Sequence, residues 1–307
     1  MQRETYEHSG GLGSAALLTP VAGLLAGLLG AFLYAYASVY SPIVGFVSLL
    51  AVFLFSYGVG WAIAQTGRLG HCRNPTFLHG VGAVIGLATL YFSWVAFEWV
   101  LIGREDPLGL EGLLGLMASP ATVWGIAQDL SAVGWYSVGS SGSAVSGIPL
   151  WLTWIAEAGI IVGVVLLTAG SRVSEDVYCE HTKTWVPRWE TPVPLRVLAE
   201  PETLERAITS AGIEDLEALE AATTEELPRL SVEVWETQED PGTSAYQLRL
   251  LEPKVEKDGE VKVEEKELGP KYAASAEVLE RLRALAAREP TELPAAEGED
   301  EAATPEA

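Results

Sequence analysis

The stretch Ile148–Ala169, IPLWLTWIAEAGIIVGVVLLTA, decides how the rest of the chain is organised. As a helix, its 22 residues are long enough to cross the ~30 Å hydrocarbon core of a lipid bilayer. It carries a single ionisable residue, Glu157, near its middle. The chain before it is mostly apolar and the chain after it is acidic, so we interpret the stretch as the last membrane span.

The charge distribution supports a division of the chain near residue 170. The 307 residues carry a net charge of −22 and a mean hydropathy of +0.23, a combination that one globular domain does not explain. Residues 1–170 contain 4 Lys/Arg and 8 Asp/Glu, whereas residues 171–307 contain 15 and 33. We therefore predict a lipid-embedded first part of net charge −4 and a soluble second part of net charge −18.

Apolar segments before the opening stretch predict a four-helix transmembrane domain over residues 1–170. The first segment could be mistaken for a secretory signal peptide, because Ala35-Tyr36-Ala37 resembles a cleavage site between small residues. Its acidic N-terminal flank and long apolar run favour an uncleaved span. The predicted spans are residues 15–39, 42–65, 77–102 and 148–169, with an external loop over 103–147.

Glycines spaced four apart occur in three of the predicted spans. Residues at this spacing lie on one face of a helix, and paired glycines let helix backbones approach closely. We therefore predict that each pair marks a packing seam in a compact bundle. The pairs are Gly23/Gly27, Gly82/Gly86 and Gly159/Gly163.

The Lys and Arg residues near the span ends predict the orientation of the bundle. One side carries seven of them and the other side carries Arg104 alone. Because cytoplasmic loops are enriched in these residues, we predict an inner-membrane location with both termini in the cytoplasm. The seven are Arg3, Arg68, Arg73, Arg172, Lys183, Arg188 and Arg196.

The predicted external loop contains two apolar pieces that are too short to cross a bilayer. Ser119 before Pro120 is typical of a helix start, with a capping side chain followed by proline at the first helical position. We interpret both pieces as interfacial or re-entrant helices. Trp135 and Tyr136 follow them and are candidates for an external ligand surface, the alternative being a purely structural lid.

The second part predicts a small α+β domain. Alternation of apolar and polar residues predicts strands in LSVEVWETQ and AYQLRLLEP. The KDG segment that follows predicts a hairpin with Val255 opposite Val261, and residues 275–287 predict a closing amphipathic helix. The predicted regions are a linker over 171–195, the acidic α+β domain over 196–288, and a disordered acidic tail over 289–307.

Several short motifs resemble uncharacterised multi-pass bacterial membrane proteins, a group to which no activity is attached. In that group, cysteines tend to be paired after the last span. This chain has Cys179 but Thr182 where the second cysteine would stand, so the resemblance implies that any metal site of the group is lost here. The motifs are Tyr34-Ala35-Tyr36-Ala37, Arg73-Asn74-Pro75, Gly134-Trp135-Tyr136-Ser137, Trp154-x-x-Glu157-Ala158 and Cys179-x-x-Thr182-x-x-Trp185.

A metal site is also disfavoured by the residues themselves. Cys179 and His181 lie two apart and supply at most two ligands. We considered them as metal ligands and set them aside, and we expect no cofactor.

The segment AGIEDLEALEAATTEEL, residues 211–227, resembles one half of a helix-hairpin-helix repeat. That family often binds the nucleic-acid backbone through glycine-rich hairpin amides. Here only Gly212 is present and the surroundings are acidic, so phosphates would be repelled. We interpret the segment as a local packing motif and expect no nucleic-acid partner.

Glu157 is the main candidate for chemistry. A carboxylate in a membrane span costs about 2.5–3.5 kcal/mol, so it should face the bundle interior and find a partner. Candidate partners are a backbone group freed near Pro20 or one of several side-chain hydroxyl groups, those of Tyr34, Tyr36, Tyr57, Tyr91 and Ser93. Three roles stay open from sequence: a structural hydrogen bond, an ion or proton pathway, or a ligand site.

Two further ionisable residues lie in the third span. Glu98 is expected to reach the membrane interface near Trp94 and Trp99. His79 lies at the cytoplasmic entrance of the span, where a titratable gate is conceivable. With Glu157 and Tyr57, they complete the set of ligand or ion-pathway candidates.

The sequence predicts no enzyme, because it contains none of the familiar nucleotide-binding, metalloprotease or nucleophile-elbow motifs. The first hypothesis is a membrane anchor or scaffold that presents an acidic cytosolic interaction module to a protein partner. The alternative is a small ion or solute transporter or channel component that uses Glu157. Four spans make a small pathway, so that alternative would require a homo-oligomer in the bilayer.

Overall fold

The computed structural model describes residues 4–40, 46–105, 107–135, 144–197, 212–237, 239–240, 243–256 and 260–290. The chain divides into two compact units. A helical unit comprises His8–Asp176, and a sheet unit comprises Met1–Glu7 with Val177–Ala307.

Four helices of the helical unit are long and apolar enough to cross a bilayer, as the sequence predicted. The other two are shorter and meet at an angle of 94°, and together they would count as a broken fifth span or a re-entrant pair. The helices are α1 Ala15–Tyr40, α2 Phe46–Leu69, α3 Pro75–Ile102, α4 Leu110–Ala118, α5 Pro120–Val133 and α6 Ile148–Glu175.

Local signals set the ends of several helices. The Asn74 side chain accepts a hydrogen bond from the Phe77 amide at 2.9 Å and caps α3, which begins at a proline. Ser119 caps α5 before Pro120, as predicted. Helix α6 continues six residues beyond the predicted end at 169. The prediction followed the apolar run and therefore missed these last turns, which are polar. They end next to an ion pair between Arg68 and Asp176 (2.8 Å).

Two of the three glycine pairs lie where helices pack closely. A Cβ atom added at Gly27 would lie 2.3 Å from Thr89 Oγ1. One added at Gly82 would lie 2.7 Å from the Cβ of Ala169. These positions bring α3 against both α1 and α6, and α2 packs against the same two helices from the other side.

The third predicted seam is wrong. A Cβ atom added at Gly159 or Gly163 would have no neighbouring atom within 4 Å. The buried face of α6 instead runs through Ile161, Val165 and Ala169. The glycine pair is therefore on an open face of α6, and spacing alone did not tell which face another helix would cover.

The outer surface of the helical unit is apolar. Among the described residues, nearly all exposed large apolar side chains belong to α1–α6. A surface of this extent is unusual for a soluble domain and typical of one that contacts lipid or another apolar partner. The exceptions are Val255, Val261 and Val263.

The sheet unit contains seven strands and two helices among its described residues. Strands β3, β4, β5 and β6 form an antiparallel sheet in that order, β7 pairs with β5, and β1 pairs with β2. The elements are β1 Val177–Cys179, β2 Thr184–Val186, β3 Val193–Arg196, α7 Ile213–Glu217, β4 Arg229–Trp235, β5 Ala245–Val255, β6 Val261–Glu267, β7 Tyr272–Ala273 and α8 Ala276–Ala286.

The core of this unit lies on one face of the sheet. Leu230, Val232 and Val234 of β4 contribute to it together with Leu282 of α8. The predicted hairpin register is confirmed, since Val255 pairs with Val261. The predicted closing helix is confirmed as α8, which Ser275 caps through the Val278 amide.

Two predicted boundaries differ from the structure. Residues 171–195 are not a linker: they contain the end of α6, the hairpin β1–β2 and most of β3. Residues 4–6 belong to the sheet unit rather than to the bundle, since Thr5 bridges Tyr272. The predicted tail lies outside the described residues from residue 291 onward.

A buried ion pair joins β3 to the segment before β4. The Arg196 guanidinium, which is almost fully buried, donates from Nε to Glu226 at 2.7 Å and from Nη1 to Glu220 at 2.8 Å. Hydrogen bonding to Arg196 holds the pKa of Glu226 below its usual value. The sheet unit therefore compensates its buried charge with opposite charges.

Candidate functional site

Glu157 lies near one end of the helical unit rather than at its middle. It is the tenth residue of a helix of 28 residues. Its partners Tyr34 and Ser48 lie near the end of α1 and at the start of α2. The site therefore belongs to the end of the helical unit where α1 and α3 finish and α2 and α6 begin.

Two hydroxyl groups bind the Glu157 carboxyl group. Tyr34 Oη donates to Oε1 at 3.1 Å and Ser48 Oγ donates to the same oxygen at 3.2 Å. Tyr34 was among the partners expected from sequence, whereas Ser48 was not. Within the described part of the chain, Oε2 has no hydrogen-bond partner and no Lys, Arg or His pairs with Glu157. The carboxyl group thus keeps one oxygen available.

Glu157 lines a cavity of about 60 Å³. A cavity of this size holds a few waters or a small chemical group. Its polar wall consists of hydroxyl-bearing residues and its apolar wall is largely aromatic. The polar residues are Tyr34, Ser38, Ser48, Ser93, Thr153 and Glu157, and the aromatic ones besides Tyr34 are Trp94, Phe97, Trp135 and Trp154.

A series of aromatic contacts surrounds the cavity. Trp154 of α6 meets Trp94 of α3 edge to face at 4.8 Å between ring centroids. Trp151 meets Trp154 at 5.2 Å, and Trp124 of α5 meets Trp151 at 5.2 Å. The first two pairs are edge to face, and the pair of Trp124 and Trp151 is tilted by 43°. Aromatic pairs contribute about 0.5–1.5 kcal/mol beyond burial, so these rings help to hold α3, α5 and α6 together.

A second, apolar cavity adjoins the first. It has a volume of about 340 Å³ and lies between α3, α5 and α6. We call it the tryptophan groove, because Trp94, Trp124, Trp151 and Trp154 line it. Four residues line both cavities: Leu90, Trp94, Trp154 and Ala158.

Glu98 differs from its predicted role at the membrane interface. Its side chain is 0% exposed, and neither carboxyl oxygen has a hydrogen-bond partner among the described residues. It shares a face of α3 with Tyr91 and Val95, and α4 packs on that face. Tyr91 Oη contacts the carbonyl oxygens of Leu116 and Met117 at 3.1 and 3.0 Å. The α4–α5 cover, whose position the sequence did not reveal, explains the burial.

His79 and Tyr57 do not join the Glu157 site. His79 Nδ1 lies 2.8 Å from the Leu166 carbonyl oxygen. It precedes Leu90 by eleven residues of helix, which corresponds to about 16 Å along α3. Tyr57 is 46% exposed, stacks on Phe53 and does not line either cavity.

The remaining candidates divide between the two units. Trp135 lines the Glu157 cavity and packs on Phe97 at 4.8 Å, whereas Tyr136 lies outside the described residues. Cys179 is buried in the sheet unit, where its Sγ accepts from the Thr182 amide at 3.5 Å. The described residues contain no group of three or more potential metal ligands.

A sequence signal for the polar wall existed and was missed. Tyr34 and Ser38 lie four residues apart in α1, and Thr153 and Glu157 lie four residues apart in α6. Residues at this spacing share a helix face. Polar pairs of this kind in two apolar helices indicate two stripes that can meet at one cavity.

Comparisons with known protein families, with curated proteins and with solved structures find no match to this chain.

Proposed function

We propose that the chain is an integral protein of the inner membrane whose helical unit binds a small cationic solute at Glu157. The proposal keeps one part of the transporter or channel hypothesis drawn from the sequence, namely the binding of a solute at Glu157. The observation that carries it is a carboxyl group that lines a cavity and whose Oε2 has no hydrogen-bond partner among the described residues. A cation that donates to Oε2 would supply an interaction that these residues do not provide.

The packing of the helical unit supports access from one end only. Arg104 lies at the Glu157 end, whereas Arg68, Arg73 and Arg172 lie at the opposite end. By the positive-inside rule the Glu157 end is external and both termini are cytoplasmic. Close contacts at Gly67, Gly70 and Gly82 fill the cytoplasmic half, which favours a one-sided binding site over an open channel in a single copy.

Binding of methylammonium to the full-length protein in lipid nanodiscs tests this proposal. The charge-assisted hydrogen bond from an ammonium group to a carboxylate contributes about 1.5–3 kcal/mol. Glu157→Gln should therefore weaken binding at least ~10-fold. Glu111→Gln, which removes an exposed carboxylate from α4, is the matched control and should bind as the wild type does. Equal binding by all three proteins would overturn the proposal.

A second candidate function has its own observation in the sheet unit. All seven residues of the edge strand β6 are exposed. Val255, Val261 and Val263 form an exposed apolar patch on one face of the β5–β6 hairpin. Five of the seven residues of β6 are Lys or Glu, which protect an edge strand against unspecific pairing. The valine patch is therefore the feature that this hairpin offers to a partner strand. These features support the hypothesis of a membrane-anchored interaction module.

The acidic charge of residues 171–307 favours a basic or neutral protein partner over an acidic one. Affinity capture with the full-length protein from membranes tests this candidate. The double change Val261→Lys and Val263→Lys should abolish recovery of a partner, because it charges the edge patch. Glu280→Lys, an exposed change on α8, serves as the control. If no specific partner is recovered with the wild type, the candidate fails.

A further inference from the structure

We propose that the Glu157 cavity and the tryptophan groove form one site for a membrane lipid with an ammonium head group. The inference deepens the proposed function and rests on Glu157 as the group that binds the cation. The lipid would place its ammonium group beside Glu157 and one acyl chain in the groove.

The two cavities share a wall in a way that suits a single amphiphilic ligand. Trp94 and Trp154 line both cavities and meet edge to face at 4.8 Å, and Leu90 and Ala158 also line both. The polar cavity has about 60 Å³ and the apolar groove about 340 Å³. A small polar head followed by a long apolar chain matches this division of volume and polarity.

The chemistry of the polar cavity favours a cation. Among the described residues that line it, Glu157 is the only ionisable one besides Tyr34, and its Oε2 is unpaired. The rings of Trp94 and Trp154 add the negative faces that attract ammonium groups. An anionic head group would meet the carboxylate without any Lys, Arg or His in the described lining to balance it.

The groove opens on the apolar outer surface of the helical unit. Its outer walls include Leu87, Trp124 and Ile155, each more than half exposed. From Ile155 the same stripe of α6 continues to Gly159 and Gly163, where no atom lies within 4 Å of an added Cβ. Because these glycines have no side chains, an acyl chain can lie directly against the helix backbone there. This explains the presence of a glycine pair that no described helix covers.

Retention of lipid by the full-length protein tests this inference. Protein in mixed nanodiscs of phosphatidylethanolamine, phosphatidylcholine, phosphatidylglycerol and diacylglycerol is transferred to detergent, and bound lipid is counted by native mass spectrometry. We expect one phosphatidylethanolamine per chain, retained at least tenfold over phosphatidylglycerol and diacylglycerol. Equal retention of phosphatidylglycerol or diacylglycerol would overturn the inference.

Three variants connect the retained lipid to the site. Glu157→Gln and Trp124→Ala should each lower phosphatidylethanolamine retention about tenfold, the first through the head and the second through the chain. Trp61→Ala, which removes an exposed tryptophan of α2 outside the groove, should retain it as the wild type does. Trp124→Ala removes one ring contact, with Trp151, from a side chain that is 56% exposed, and it leaves the contact between Trp94 and Trp154 in place. This variant therefore tests the groove even if Glu157→Gln disturbs the fold.

Methylammonium separates this inference from the proposed function. If methylammonium binds at Glu157 and phosphatidylethanolamine is not preferred, the lipid inference fails and the binding function stands. If phosphatidylethanolamine is retained equally by the wild type and by Glu157→Gln, the lipid inference fails, and so does the proposal that Glu157 binds the cation.

Discussion

The two ends of the helical unit follow opposite packing rules. At one end, glycines such as Gly67 and Gly82 bring helices so close that an added Cβ atom would lie within 2.8 Å of a neighbouring side chain. At the other end, rings such as Trp94 and Trp154 separate α3 from α6 and leave two cavities between them. Small residues therefore close the bundle, and large ones, which cannot interdigitate completely, leave room for a ligand.

Glu98, which is buried, and Glu157, which is half-buried, both lie at the aromatic end, but their surroundings differ. Glu157 receives two hydroxyl donors and lines a cavity. Glu98 has no partner among the described residues and lines neither cavity. A buried carboxyl group is thus not a binding site by itself, since it also needs a free oxygen and accessible space.

The largest expected effect comes from breaking the closely packed end. Gly82→Leu forces a branched side chain against Ala169 and the backbone of α6. We expect the free energy of unfolding to fall by about 3 kcal/mol. Sodium dodecyl sulfate titration of the detergent-solubilised protein, followed by tryptophan fluorescence, measures it.

Gly163→Leu is the matched control for that change. It places the same side chain on the open face of α6, so the free energy of unfolding should change by less than about 0.5 kcal/mol. Equal losses at both positions would mean that α6 packs through the face that the structure leaves open.

The sheet unit provides a contrast to Glu98, because its buried charged group, the Arg196 guanidinium, is paired with the carboxylates of Glu220 and Glu226. Arg196→Met leaves Glu226 without its main partner in a mostly buried position. We expect a loss of about 3 kcal/mol, visible as roughly 100-fold faster hydrogen exchange of β3 and β4 amides. Arg188→Met, which removes a partner of Glu233 with an exposed guanidinium, should cost less than about 1 kcal/mol.

The same ion pair has a pH dependence of defined sign. Arg196 lowers the pKa of folded Glu226 below the unfolded value of about 4.3. The stabilisation is therefore complete above the unfolded pKa and is lost as the pH falls through the folded pKa. The acid sensitivity of β3 and β4 exchange should shrink in Arg196→Met, and an unchanged pH profile would exclude this ion pair as its cause.

One substitution at Glu98 is expected to stabilise the protein, whereas the substitutions above destabilise it. Glu98→Leu removes two buried oxygens that receive no hydrogen bond from the described residues, so it should raise the free energy of unfolding by about 2 kcal/mol. Glu98→Gln keeps a polar group in the same place and should gain little. Destabilisation by Glu98→Leu would show that the carboxyl group contributes an interaction that outweighs its desolvation.

The sequence predicted the features that depend on neighbouring residues. Apolar run lengths located the four long helices, Ser119 marked the start of α5, and the KDG sequence predicted the observed pairing of Val255 with Val261. Each of these depends on residues within a few positions, so no knowledge of the tertiary arrangement was needed.

The errors concern contacts between distant segments. The burial of Glu98 depends on α4, which packs over α3 from beyond a loop. Gly159 has the spacing of a packing seam, yet whether a seam forms depends on which neighbouring helix covers that face. Ser48 is 109 residues from Glu157, and no local pattern indicated that these two side chains would meet.

The smallest predicted effect tests whether the Glu157 carboxyl group is held as the structure describes. Tyr34→Phe removes one of the two donors to Oε1 and leaves Ser48 in place. Hydrogen bonds between apolar helices contribute about 0.6 kcal/mol on average. We therefore expect Tyr34→Phe to lower the free energy of unfolding by that amount in the sodium dodecyl sulfate titration. Tyr36→Phe is the control, because Tyr36 is exposed and stacks on Tyr40. Equal losses in both variants would show that removal of any tyrosine hydroxyl from α1 has this effect. The hydrogen bond from Tyr34 would then not be what holds Oε1 of Glu157 beside the cavity.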